Sequence, residues 1–292
     1  MSDSLSLLDE MVVYSRSGGF QTIKLNAYPD GIPWCAKPDP WCDGTSITVL
    51  LRPRSLASFA AGLFWVDAFN ERHPGAEVSL VLPSVPGARQ DRLNSEGDWL
   101  FTAKSVARMI NSRYFARVVV LDPHSDVAPA LIDRCKVVKS HEIEIVYSEL
   151  ESRRYSAVVS PDAGAEKRAV AFAKRLRVPL VHAWKSRNVA DGKISGFGHE
   201  PLTAANDHLG GDPRRLLIVD DICDGGGTFV GLAKTFEYDT QSDLFITHGI
   251  FSKGPEIVTS VFGNVFCTDS IPAFQSGIHR LDVCEQLTRE NS

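Results

Sequence analysis

Short apolar runs alternate with helical patterns along most of this chain, and few architectures accept that rhythm. Ile47-Thr48-Val49-Leu50-Leu51 precedes Leu56 to Phe69, where Leu56, Phe59, Ala60, Leu63, Val66 and Phe69 recur at helical spacing. Val78 to Leu82, the helix-like Thr102 to Asn111 and Arg117 to Leu121 follow. A second series begins with Ala157-Val158-Val159 and helix Glu166 to Leu176. It continues through Leu180-Val181-His182, Leu216 to Val219, helix Phe229 to Phe236, and Leu244 to Thr247. Continuous apolar strands separated by helices predict an α/β fold of mainly parallel sheets with helices on both faces. The chain has 292 residues, enough for two such domains. The pattern divides it into residues 1–138 and 139–292, with the junction near Pro129 to Glu149. In sheets of this kind ligands gather beyond the carboxyl ends of the strands, so the chemistry is to be sought in those loops.

Composition narrows the choice of partners. A 43% hydrophobic, 23% charged chain is globular, and its net charge of -5 argues against a duplex-binding surface. No nucleic-acid partner is expected. No apolar run approaches the roughly 18–20 residues of a membrane helix. Met1-Ser2-Asp3-Ser4-Leu5 lacks the basic start and apolar core of a signal peptide, so a cytoplasmic protein without a membrane partner is expected. The six cysteines (Cys35, Cys42, Cys135, Cys223, Cys267, Cys284) form no CxxC pair, which points to reduced, separately buried thiols rather than structural zinc.

One strand end is chemically specific. The run Arg215-Leu216-Leu217-Ile218-Val219 ends in Asp220-Asp221, and Ile222-Cys223-Asp224-Gly225-Gly226-Gly227-Thr228 leads into a helical pattern. A glycine loop that opens a helix turns backbone N–H groups and the helix dipole toward one point, which cradles an anion. The adjacent acids suit the two hydroxyls of a ribose. The segment therefore reads as a site for a phosphorylated ribose, against the plainer reading of a tight turn with acids facing water.

Other strand ends carry charged motifs of their own. Ala88-Arg89-Gln90-Asp91-Arg92 follows the run ending at Leu82, Asp122-Pro123-His124 ends another, and Ser160-Pro161-Asp162-Ala163-Gly164 a third. Arginines flanking Gln-Asp suit triphosphate and base contacts, since arginine holds phosphate oxygens bidentately. A histidine and an aspartate at strand ends suit Mg²⁺ bridging those phosphates. Singly, each has a structural reading: a hydrogen-bonded core histidine, a salt-bridged arginine loop.

In order and wording these motifs resemble the ribose-phosphate diphosphokinase family, the phosphoribosyl pyrophosphate (PRPP) synthetases, from about Tyr28 to Pro272. Thr247-His248-Gly249 and Thr268-Asp269-Ser270-Ile271-Pro272 match its closing strands. The resemblance implies two similar phosphoribosyltransferase-type domains, an N-terminal ATP side and a C-terminal ribose-phosphate side. It implies a transferase moving the β,γ-diphosphate of ATP to ribose 5-phosphate. His124 and Asp162 would bind Mg²⁺, with Arg89, Gln90, Asp91 and Arg92 on ATP. Asp220 and Asp221 would hold ribose hydroxyls; Asp224, Gly225, Gly226, Gly227 and Thr228 would hold the 5-phosphate. Lys185-Ser186-Arg187 looks like the family's mobile cationic loop, so Lys185 and Arg187, with His124, would be catalytic. Tyr28 and Asp30 would reach the adenine of a neighbouring subunit, which implies a homo-oligomer, dimer or hexamer.

The chain also departs from the family pattern. The usual Asp-Thr-x-Gly-Thr loop reads Asp224-Gly225-Gly226-Gly227-Thr228, which removes a hydroxyl donor and side-chain bulk beside the 5-phosphate. The segment before Tyr28 is expected to be too short for the usual first strand and helix, and Arg52-Pro53-Arg54-Ser55 stands where Asn-Asp-Asn is usual. Ile32 replaces the Glu after Asp-Gly. The open loop raises a second acceptor, ADP-ribose, whose diphosphate-activated product would serve NAD salvage. A phosphoribosyltransferase would share the Asp220–Thr228 loop but would not need Arg89 to Arg92 or His124. A non-catalytic regulatory homologue predicts a damaged cation and metal set, and that set is present.

Overall fold

The computed structural model describes residues 6–16, 18–35, 46–93, 99–187, 194–202, 215–236, 240–272 and 276–290. It divides into two compact units: residues 1–138 with 270–272 and 284–292, and residues 139–269 with 273–283.

In the first unit, β1 (Ser6–Ser15), β2 (Phe20–Ala27) and β3 (Pro33–Cys35) precede β4 (Ser46–Leu51), α1 (Leu56–Arg72) and β5 (Glu77–Val81). Then come α2 (Thr102–Asn111), β6 (Arg117–Leu121), α3 (Val127–Leu131) and β7 (Cys135–Val138). The described residues form a seven-stranded sheet ordered β3-β2-β1-β4-β5-β6-β7. From β4 to β7 the strands are parallel, as the alternation predicts. The N-terminal hairpin was not expected: β1 pairs antiparallel with both β2 and β4, so the stretch before Tyr28 adds strands to the sheet. In β2, Ile23, Leu25 and Ala27 are buried while Thr22 and Lys24 are exposed and Asn26 is intermediate, the alternation of a strand with one covered face.

Arg52-Pro53-Arg54-Ser55 starts α1. Ser55 caps the helix, its side chain accepting from the Ser58 N–H, while the buried Asp9 carboxylate of β1 accepts from the Arg54 N–H at 2.9 Å. α2 buries Ala103, Val106, Ala107 and Ile110, one helical stripe, in a core shared with Phe59, Leu63, Val66 and Phe69 of α1.

The second unit has α4 (Glu144–Glu151), β8 (Ala157–Ser160), α5 (Glu166–Leu176), β9 (Leu180–Arg187), β10 (Ile194–His199) and β11 (Arg215–Cys223). It continues with α6 (Gly227–Ala233), β12 (Gln241–Gly249), α7 (Glu256–Thr259), β13 (Val265–Thr268) and β14 (His279–Leu281). Its described sheet is again seven-stranded, β10-β9-β8-β11-β12-β13-β14, with β11 in the middle and only the β10–β9 junction antiparallel. On β12 the buried Asp243 is paired at both oxygens: Tyr155 donates its hydroxyl at 2.9 Å, and Asn264 donates its backbone and side-chain N–H at 2.9 and 3.0 Å. The last helix, α8 (Cys284–Arg289), belongs to the first unit and lies against β4.

Candidate active site

In the second unit three neighbouring strands and one helix assemble the expected residues. At the end of β8, the Asp162 carboxylate accepts from the Gly164 and Ala165 N–H groups at 2.9 and 3.3 Å, which fixes the turn into α5. Its other oxygen takes the Lys185 ammonium of β9 at 2.7 Å. Lys185 does not sit on a free loop past Trp184. Strand β9 runs on through Arg187 and pairs with β10, Lys185 opposite Phe197, so polar residues expected in a loop occupy a ladder. The Arg187 side chain lies outside the described residues. Phe197 of β10 in turn fills the space over Gly231 of α6, where a β-carbon would collide with its ring.

Beside β8, strand β11 carries Asp220 and Asp221 to its carboxyl end. Arg168 of α5 reaches both, Nη1 at 3.4 Å from Asp220 and 3.7 Å from Asp221. Sequence reading assigned Arg168 no role; its place in the first turn of α5, right after the Ser160–Gly164 motif, was the available signal. Burial, and then the neighbouring Asp221 charge, holds the Asp220 carboxyl well above its usual range, while Arg168 pulls it down.

The loop after the acids turns on Gly226, whose φ of 72° lies in the left-handed region. A β-carbon there would press on Ile257 and Val258 at 3.0 Å. α6 begins at Gly227, two residues ahead of the expected Phe229, and ends at Ala233 rather than Phe236. The carbonyls of Cys223 and Asp224 accept from the N–H groups of Ile250, Phe251 and Ser252, so the turn after β12 braces the loop. The Cys223 thiol beneath it is pushed up to about 12, chiefly by burial.

In the first unit the loops after β5 and β6 meet through Asp91. Its buried carboxylate accepts from Arg92 Nε at 2.9 Å and from Ser125. The Arg92 bond, and then Ser125 and the charge of His124, hold the Asp91 carboxyl below its usual range. Asp91 is thus turned inward as a clasp, and Arg89, Gln90 and His124 stand exposed around it. Gln90 accepts from the Thr102 hydroxyl, and its carbonyl accepts from the Ala103 N–H at 3.2 Å, tying the motif to α2. Gly87 adopts φ 71° where a β-carbon would meet Thr102. Asp122 holds φ 36°, a strained value for a non-glycine residue at a strand end beside candidate ligands. Tyr28 and Asp30 lie in the β2–β3 turn, closed by the Tyr28–Ile32 and Gly31–Tyr28 backbone bonds and by Asp30, which accepts from the Ile32 N–H at 3.1 Å.

Among the described residues no three His, Cys, Asp or Glu side chains gather as a metal-binding group. Magnesium held by one or two protein groups plus substrate phosphates needs no such cluster; the exposed His124 ring of the first unit and the Asp162 carboxylate of the second are each a single group of a kind that can bind it. No helix among the described residues is long and apolar enough to cross a membrane.

No model of a known protein family matches the chain. It is 30% identical over 226 residues to the ribose-phosphate pyrophosphokinase of Mycoplasma genitalium, covering 73% of this chain and 64% of that protein. With the Mycoplasma pneumoniae ribose-phosphate pyrophosphokinase it is 30% identical over 238 residues, 77% of this chain and 67% of that one. The chain belongs to the ribose-phosphate pyrophosphokinase family. A crystal structure of phosphoribosylpyrophosphate synthetase from Mycobacterium smegmatis shares its fold, with a TM-score of 0.73 over 92% of this chain and 88% of that one at 20% identity. The chain spans 64% of the length of the Mycoplasma genitalium relative, so family membership is carried by about two thirds of that protein.

Proposed function

We propose that the protein is a Mg²⁺-dependent diphosphotransferase whose acceptor is a ribose 5-phosphate unit and whose donor is ATP. The observation that carries this reading is the convergence at β8, β9 and β11: Lys185 on Asp162 at 2.7 Å, with Arg168 bridging to the Asp220–Asp221 pair ahead of the glycine loop. The anomeric 1-hydroxyl attacks the β-phosphorus of ATP; the bond from that oxygen to phosphorus forms, the bond to the α-phosphate oxygen breaks, and AMP leaves. The hydroxyl proton passes to solvent, and no general base is assigned. His124 and Asp162 would hold Mg²⁺, which would supply charge neutralisation on the phosphates. Asp220 and Asp221 accept from the ribose hydroxyls, and Asp224 to Thr228 hold the 5-phosphate. Lys185 and Arg187 stabilise charge on the moving diphosphate, while Arg89, Gln90 and Arg92 hold ATP around the Asp91 clasp. Tyr28 and Asp30 serve adenine of a neighbouring copy in a homo-oligomer.

With ribose 5-phosphate the products are PRPP and AMP. A second acceptor, ADP-ribose, is favoured by one observation: Gly225 leaves the loop without a side chain where the family pattern has a threonine. The test is AMP release from ATP and Mg²⁺ with each acceptor, read by chromatography. AMP with either acceptor, cut about 100- to 1,000-fold in Lys185→Ala, is expected. Transfer of ribose to a base without AMP formation would replace this reading with that of a phosphoribosyltransferase. Nucleotide binding without turnover would make the protein a regulatory homologue.

A further inference from the structure

The glycine that opens the phosphate loop has a neighbour that no motif predicts. The Lys253 stem runs past Gly225, with Cε 3.4 Å and Cδ 3.5 Å from where a β-carbon would stand. Three backbone bonds hold it there: Ile250 and Phe251 donate to the Cys223 carbonyl at 2.9 and 3.0 Å, and Ser252 to that of Asp224 at 3.1 Å. A lone β-carbon would touch the stem at ordinary contact distance, but a β-branched side chain would reach into it. Gly225 and Lys253 are therefore a matched pair, and the exchange puts a cation where the family pattern has a neutral hydroxyl. Lys253 is exposed, and no ion pair engages it among the described residues. Its ammonium, one bond beyond Cε, stands at the rim of the loop.

We propose that Lys253 determines acceptor specificity: its ammonium binds the second phosphate of a ribose whose 5-phosphate is extended as a diphosphate ester, as in ADP-ribose. The inference rests on the diphosphotransferase reading of this loop. Backbone N–H groups of a short glycine loop satisfy one phosphate. An esterified diphosphate presents a further anionic phosphate several ångströms on, and a point charge on a flexible stem is suited to it, whereas a short hydroxyl is not. Ribose 5-phosphate ends before that point, so it gains less from the lysine.

The experiment compares wild type, Lys253→Ala, Lys253→Arg and Gly225→Thr with ribose 5-phosphate and ADP-ribose as acceptors. In Lys253→Ala the selectivity for ADP-ribose over ribose 5-phosphate, as the ratio of kcat/KM values, should fall about 10- to 100-fold, carried by KM. Lys253→Arg should recover most of it, and Gly225→Thr should move the ratio the same way as Lys253→Ala. An unchanged ratio, or equal losses on both acceptors, overturns the assignment while leaving the reaction class standing. Calorimetric binding of ADP-ribose without ATP gives a second readout. If wild type releases no AMP with either acceptor, the reaction class fails, and Lys253 is judged on binding alone: a Kd unchanged in Lys253→Ala overturns its role.

Discussion

Asp220 holds a proton more tightly in the folded protein than in the unfolded chain, because burial and the adjacent Asp221 both oppose its charge. Such a group contributes stability that is present below the unfolded pKa, near 3.9, and lost as pH rises through the raised folded value. The ligand-free protein should therefore lose stability with rising pH above the ordinary carboxylate range, by up to about 1.4 kcal/mol per pH unit for one proton. Asp220→Asn removes that dependence. Urea denaturation at a series of pH values should give a flatter profile for the variant and a gain over wild type at the upper end. Parallel profiles would show that Arg168 already neutralises the pair. The same substitution should raise the acceptor KM, since an amide offers ribose hydroxyls a weaker acceptor than a carboxylate. Stability withheld at this pair is the physical mark of a site built for a ligand.

At the scale of elements, the candidate catalytic lysine depends on a hairpin that leans on a helix. Phe197 of β10 packs into the space left by Gly231 of α6, and Lys185 stands opposite Phe197 in the ladder. Gly231→Ala should push the ring outward and shift the arm, lowering AMP-release turnover by about 10- to 100-fold with unchanged far-ultraviolet circular dichroism. Adding Phe197→Leu should restore part of the loss. Turnover that ignores Gly231→Ala would separate the arm from α6. This hairpin also marks where the sequence stops being legible. β4, β5, β6, β8, β11 and β12 announce themselves as apolar runs because both faces of each are covered. Lys185-Ser186-Arg187 has no such run, and Gly196 and Gly198 dilute the pattern of its partner strand, so the ladder there is a product of tertiary pairing. β1 escapes for a related reason: Asp9 and Glu10 interrupt it, yet Asp9 is buried because the Arg54 N–H and guanidinium answer its charge. The charged motifs stand out in the sequence because each is a local cluster after an apolar run. The Arg168–Asp220 pair and the contact of the Lys253 stem with Gly225 do not, since each joins segments distant in sequence.

The molecule's two units are not two consecutive stretches of chain. After completing the second sheet the chain returns to the first unit with residues 284–292, where Cys284, Leu287 and Thr288 are buried and α8 lies against β4. A division at residue 138 therefore strands a helix that the first unit uses. Leu287→Ala removes a fully buried side chain whose surroundings are held by a parallel sheet with little room to collapse, so a loss of about 2–5 kcal/mol is expected. Because each unit has its own hydrophobic core, the loss should be local. Amide hydrogen exchange should show protection falling in β4, β5 and β6 while β11 and β12 keep theirs. Tyr155→Phe provides the opposite case: it strips the hydroxyl donor from buried Asp243 and should cost about 1–3 kcal/mol, read in β11 and β12 first. If each variant instead lowers protection equally in both sheets, the two units unfold as one cooperative body.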